Sequence, residues 1–128
     1  MEIGETITKT IRASKKWNNT QIRPVAGEEY HFKASGQWKD WNIVCDADGY
    51  ISPNLLLRAT EWLRRVPKEC WFTLIGSLDG DKDTCFRIGV EARISPKLTG
   101  TLYCFANDIN LMYWNNRGEI QLTVTRTR

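Results

Sequence analysis

The sequence predicts an all-β protein, an antiparallel sandwich or jelly roll carrying one inserted helix. Three observations carry this. First, Ile120-Gln121-Leu122-Thr123-Val124-Thr125 alternates cleanly, which puts Ile120, Leu122 and Val124 on one face of a strand. Second, similar short runs recur along the chain with turn signals between them: Ala26-Gly27, Asp79-Gly80-Asp81, Ser95-Pro96, Thr99-Gly100 and Arg117-Gly118. Third, 41% of the 128 residues are hydrophobic and six are tryptophan, enough to fill a core in a chain of this length.

The elements follow in order. Ile7 to Arg12 alternates in part. In Tyr30 to Ala34 the residues Tyr30, Phe32 and Ala34 share a face, which turns His31 the other way, toward solvent. Ser52-Pro53 supplies an N-cap and a proline at the first helical position. Leu56, Ala59 and Leu63 then recur at helical spacing, Arg64 and Arg65 suit the last turn, and Val66-Pro67 stops the element. A helix over 53–65 is expected, with Trp62 as its contact to the sheet and Arg58, Arg64 and Arg65 on a solvated face. Trp71-Phe72-Thr73-Leu74-Ile75 is a nearly continuous apolar run ended by Gly76, as in a strand buried on both sides. In Cys85 to Val90, the residues Phe86, Ile88 and Val90 line up. Leu102, Cys104 and Ala106 face one way, and Tyr103 and Phe105 the other. Residues 1–128 read as one domain, with no repeat, no low-complexity tract and no dividing linker.

Composition excludes several functions. A net charge of +3, from 18 basic and 15 acidic residues, does not predict nucleic-acid binding. No run of 18 apolar residues exists, so no membrane span is expected. Met1 to Glu5 shows no basic and apolar leader pattern, which points to the cytoplasm or to release without a classical signal peptide. Cys45, Cys70, Cys85 and Cys104 lack CxxC spacing, which argues against a thiolate zinc site. All four are read as reduced, with a Cys45–Cys70 bridge as the alternative. With one histidine in the chain, neither a histidine metal site nor a Ser/His/Asp triad has material to work with. Nothing places two acids across a cleft, so no enzyme activity is expected.

One stretch concentrates polar chemistry. Asn107-Asp108-Ile109-Asn110-Leu111-Met112-Tyr113-Trp114-Asn115-Asn116-Arg117-Gly118 sets a carboxylate and carboxamides in a loop before the last strand. Every side chain in that polar set offers oxygen, which suits a hard cation such as calcium, a polyhydroxylated ligand, or both. Asparagine and aspartate are also ordinary turn formers, so the loop taken alone reads first as structure. The turns at Asp46-Ala47-Asp48-Gly49 and Asp79 to Asp83 read as turns, since the rest of a calcium-binding loop is missing from the first.

The order of landmarks carries a resemblance. Trp17 and Thr20 precede a strand; Ala34-Ser35-Gly36-Gln37-Trp38 closes one; Asp46-Ala47-Asp48-Gly49 and Leu74-Ile75-Gly76 follow; then comes N-D-x6-N-N-x-G, from Asn107 to Gly118. This order resembles the LecA (PA-IL) type of calcium-dependent bacterial galactose-binding lectin. The resemblance implies a galactose-binding-domain-like jelly roll and a bound Ca2+. It implies side-chain ligands Asp108, Asn115 and Asn116, and carbonyl ligands Met112 and Asp40, or Trp41 in place of Asp40. The sugar would complete the shell with two hydroxyls, contacted also by Asp108, Asn115 and Asn107, with Trp41 and Trp114 beside it. The implied partner is a galactose-type glycan, and the implied assembly a homo-oligomer. The family's sugar-contacting histidine and glutamine belong to the loop that is rebuilt here as 53–65, which contains neither. The alternative is a non-catalytic protein-interaction module of the same fold, presenting Leu111, Met112 and Trp114 to a partner.

Overall fold

Alternation becomes burial most directly in the last strand. The computed structural model describes residues 1–52 and 54–128, and the side chains of all of these except Leu56 and Leu57. Among the described residues, ten strands form two antiparallel sheets: β1 Thr6–Arg12, β2 Asn18–Asn19, β3 Tyr30–Ser35, β4 Trp38–Asp40, β5 Ile43–Cys45, β6 Leu74–Leu78, β7 Phe86–Arg87, β8 Glu91–Ile94, β9 Leu102–Ala106 and β10 Asn116–Arg126. The larger sheet runs β5-β4-β10-β3-β8, with β1 also paired to β10; the smaller runs β2-β9-β6-β7. Ile120, Leu122 and Val124 of β10 are fully buried between the sheets, against Ile11, Phe32, Trp38, Phe72, Leu74, Leu102 and Cys104. Each such side chain contributes about 1.5–3 kcal/mol by leaving water. The predicted all-β sandwich is the observed fold.

β10 is the hub. Asn116 to Gly118 pair with β4, Glu119 to Thr125 with β1, and Gln121 to Arg126 with β3. Arg117-Gly118, expected as a turn between strands, lies inside this strand. Gly118 takes φ +87 there, and a Cβ on it would stand 3.0 Å from the Trp38 Cα. The backbone freedom of glycine serves a change of pairing partner rather than a chain reversal.

β6 also departs from expectation. It starts at Leu74 and passes through Gly76 to Leu78, and the Phe86 ring occupies the space a Cβ at Gly76 would need, 2.7 Å away. Both its faces are buried, as the apolar run predicts. Leu74 faces the core, while Ile75 pairs with Phe105 of β9 on the outer face, beneath Val66. Phe105 is therefore as buried as Cys104.

The 53–65 segment is not one helix. An α-helical turn, α1 Leu55–Ala59, is followed by a 3-10 turn, Glu61–Leu63, and Arg64 then bridges to Ile109. Ser52 Oγ accepts from the Asn54 N–H at 3.1 Å, in keeping with its expected capping role; Pro53, and the side chain of Leu56, lie outside the described residues. The helical spacing fails because its apolar residues find no core: Trp62 is 71% exposed, and Leu55 and Leu63 are also exposed. Arg64 and Arg65 are not on a solvated face either. Arg64 lies over the Trp71 ring, and Arg65 lies 3.4 Å from the Phe105 ring centre and 4.4 Å from that of Trp17. Among the described residues, no helix is long and apolar enough to cross a membrane.

Candidate functional site

Asn107 and Asp108 leave β9 as a corner, and the two residues do opposite things. Asn107 is fully buried, and its side chain is spent on the neighbouring loop. Its Oδ1 accepts from the Val66 N–H at 3.0 Å, and its Nδ2 donates to the carbonyls of Val66, Glu69 and Cys70 at 2.9–3.1 Å. It ties the 66–70 loop to the corner, and its full burial and its four hydrogen bonds there give it a structural role.

Asp108 is only 3% exposed, yet its Oδ2 has no hydrogen-bond partner among the described residues. Its Oδ1 accepts from the Ile109 N–H at 2.7 Å, and its carbonyl accepts from the Arg65 N–H at 3.1 Å. Burial raises its pKa to about 6, and the charge of Asp40 adds to the rise. The Ile109 N–H, the Asn116 side chain and Arg65 pull the other way.

The chain then turns through Ile109–Met112, closed by the Met112 N–H on the Ile109 carbonyl, into a 3-10 turn, Tyr113–Asn115. Tyr113 anchors this turn: its hydroxyl donates to the Ala106 carbonyl at 2.6 Å and accepts from Arg65 Nη1 at 2.8 Å. Asn115 Oδ1 and Asn116 Oδ1 are both buried without partners. Asn116 Nδ2 donates to the Ala13 carbonyl at 3.0 Å, which fixes the amide and so assigns its oxygen to the orphaned side. Three side-chain oxygens that the sequence singles out are thus the loop's three unsatisfied acceptors, and buried acceptors without partners are rare.

These residues border a pocket of about 300 Å³ lined by Asp40, Trp41, Ile43, Asn54, Trp71, Asp108, Ile109, Met112 and Asn115. Asn116 sits behind it, opposite Asp40 in the β4–β10 ladder. The Trp41 N–H donates to the Asn115 carbonyl at 3.2 Å, and Trp41 holds φ 56, a costly conformation for a bulky residue. Trp41, in the lining, is 72% exposed; outside the lining Trp114 is 72% exposed and Leu111 is exposed as well. Asp40 accepts from the Tyr50 hydroxyl, and burial raises its pKa.

Asp40, Trp41, Met112, Asp108 and Asn115 therefore come together, with Asn116 adjoining, while Trp114 stands apart from the pocket lining. Tyr50, Trp71 and Ile109 were not among the expected site residues. Tyr50 arrives through an isolated bridge to Trp71, made close by Gly49, whose added Cβ would meet the Trp71 carbonyl at 2.1 Å. No local pattern encodes that approach.

The other polar features are structural. Asp46 caps its turn on the Asp48 N–H, as expected. His31 is not free in solvent but sits 2.8 Å from Glu91. The four cysteines are unpaired thiols, and burial pushes Cys45 up to about 12. Among the described residues, no three His, Cys, Asp or Glu side chains gather around a metal-sized space. A hard cation does not need such a cluster, since carboxamide and carbonyl oxygens can supply most of its shell.

No protein-family model matches this chain, and no curated protein matches it. Among solved structures it is similar to one described as "EclA N-terminal domain; PllA-like lectin", with a TM-score of 0.71 at 20% identity, covering 94% of this chain and 97% of that one. The chain has the fold of a PllA-like lectin domain.

Proposed function

We propose that this protein is a lectin of the LecA-like type, binding a galactose-type or related sugar through one Ca2+ in the 107–118 loop. The observation that carries the reading is the set of buried, unpartnered oxygens on Asp108, Asn115 and Asn116. Leaving such groups unpaired costs on the order of 1–3 kcal/mol each, and a hard cation is the ligand that satisfies several acceptors at once. The lectin fold of the similar structure supports the same reading.

In this mechanism Asp108, Asn115 and Asn116 would hold calcium by side-chain oxygens, with the Met112 carbonyl and that of Asp40 or Trp41. When bound, the ion would supply a fixed positive centre for two vicinal sugar hydroxyls. Asp108 and Asn115 accept hydrogen bonds from those hydroxyls, and Trp41 offers the sugar an apolar face. Trp114 extends that face beyond the pocket lining. The chain binds its ligand and does not transform it. A homo-oligomer would multiply such a site and raise avidity for a glycan surface.

Calorimetry with calcium and a panel of monosaccharides tests the reading. Calcium is expected to bind with one site per chain, and sugar only in its presence. No heat and no retained metal at millimolar calcium would sink the metal half. A second reading, a protein-interaction module, is favoured by the exposed Trp41, Leu111 and Trp114 around the pocket. It predicts a partner whose binding survives chelation.

A further inference from the structure

The charged groups of the pocket are carboxylates alone; its side-chain donors are neutral amide and indole N–H groups, and none of its lining residues is basic. Asp40 and Asp108 both line it, so it carries two carboxylates. The one nearby hydroxyl, on Tyr50, gives its proton to Asp40 Oδ2. That bond uses one of about four acceptor positions on the carboxylate and fixes the group at the end of β4, opposite Asn116. The remaining wall is apolar: Trp41, Ile43, Trp71, Ile109 and Met112. A neutral ligand with hydroxyl donors toward the carboxylates and a hydrocarbon face toward the apolar wall matches this lining.

We infer that Asp40, held in place by Tyr50, is the specificity-determining side chain of the site, accepting a hydroxyl beyond the two on calcium and rejecting sugars that carry a carboxylate. This rests on the calcium reading above. With Ca2+ bound, Asp40 and Asp108 together balance the metal's charge, so a neutral pyranose meets a neutral site. A uronic or sialic acid would bring an uncompensated anion beside Asp40, with no lysine, arginine or histidine on the pocket wall to receive it. Asp40 thus supplies a third sugar contact in a site without the histidine and glutamine of related lectins, and it supplies it from β4 rather than from the 53–65 segment.

The experiment compares wild type, Asp40→Asn and Tyr50→Phe by calorimetry at saturating calcium. The probes are methyl glycosides of galactose, glucose and mannose and the matching uronic acids. Wild type is expected to favour the neutral member of its best pair by about tenfold or more. Asp40→Asn keeps the shape and loses the charge. It should weaken the neutral sugar by about fivefold or more and shrink the preference to about threefold or less. Tyr50→Phe keeps the charge, so it should weaken the neutral sugar by about two- to fourfold while retaining the preference. Calcium should bind all three proteins. Unchanged affinities for both probes in Asp40→Asn, with calcium bound, overturn the assignment of Asp40 alone. Failure of the wild type to bind calcium overturns the calcium reading, and this inference with it.

Discussion

Adjacent residues in the N-D pair separate structure from ligand binding. Replacing Asn107 with alanine removes the acceptor of the Val66 N–H and the amide donor shared by three carbonyls, of which those of Val66 and Cys70 keep backbone donors, and should cost about 2–4 kcal/mol of folding stability. Denaturant titration reads this directly, and a loss under about 1 kcal/mol would contradict the anchoring role. Asp108→Asn should behave otherwise. The folded pKa of Asp108, about 6, lies above its unfolded value, so the native state binds the proton more tightly. Its buried charge therefore costs stability above pH 6, and that cost fades as pH falls toward 4. Relative to wild type, metal-free Asp108→Asn should be more stable at pH 7.5, by at most about 2–3 kcal/mol at roughly 1.4 kcal/mol per pKa unit. The advantage should vanish near pH 4. Thermal melts of both proteins with chelator, across that range, check the sign. A variant less stable than wild type at pH 7.5 would make Asp108 a structural turn residue.

At the scale of elements, β10 shows what local sequence can and cannot say. Its alternating half was legible because one face meets water and the other the core. Its first three residues were not, since Gly118 reads as a turn wherever glycine supplies positive φ. Gly118→Ala should destabilise the fold by about 1–3 kcal/mol, because the new Cβ presses on Trp38 in a left-handed conformation. Loss of the β4–β10 register there should also displace Asp40, so calcium affinity should fall along with stability. Unchanged calcium binding in a folded Gly118→Ala protein would separate the register from the site. The 53–65 segment misled for the converse reason. Its periodicity is helical, but Leu55, Trp62 and Leu63 stay exposed while Arg65 covers Phe105 and Val66 packs on Ile75. Asp108, Asn115 and Asn116 fall in one oxygen-rich loop, within nine residues of one another, where the resemblance could single them out. Tyr50 and Trp71 could not, because only the folded sheets bring them together.

For the molecule as a whole, the two sheets position most of the pocket, to which the 53–65 segment adds Asn54. β4, β9 and β10 supply or flank its polar wall, and all three are fixed by ladder pairing. Trimming the exposed side chains of Leu55 and Trp62 to alanine should leave calcium affinity within about twofold and the melting temperature nearly unchanged. A large loss in either would mean that these two side chains carry part of the site.

The same hub strand governs how the chain is made. Thr6 pairs with Thr125 and Ile11 with Ile120, so β1 waits for partners more than a hundred residues away. β3 and β4 wait for the same strand. Until residue 126 has left the ribosome, the larger sheet has no centre and the oxygen loop no floor. Such long-range closure belongs to the millisecond-to-second class of folding times. During synthesis the growing chain must therefore carry a row of unpaired β edges, which makes aggregation before completion, rather than instability afterwards, the hazard this topology has to manage.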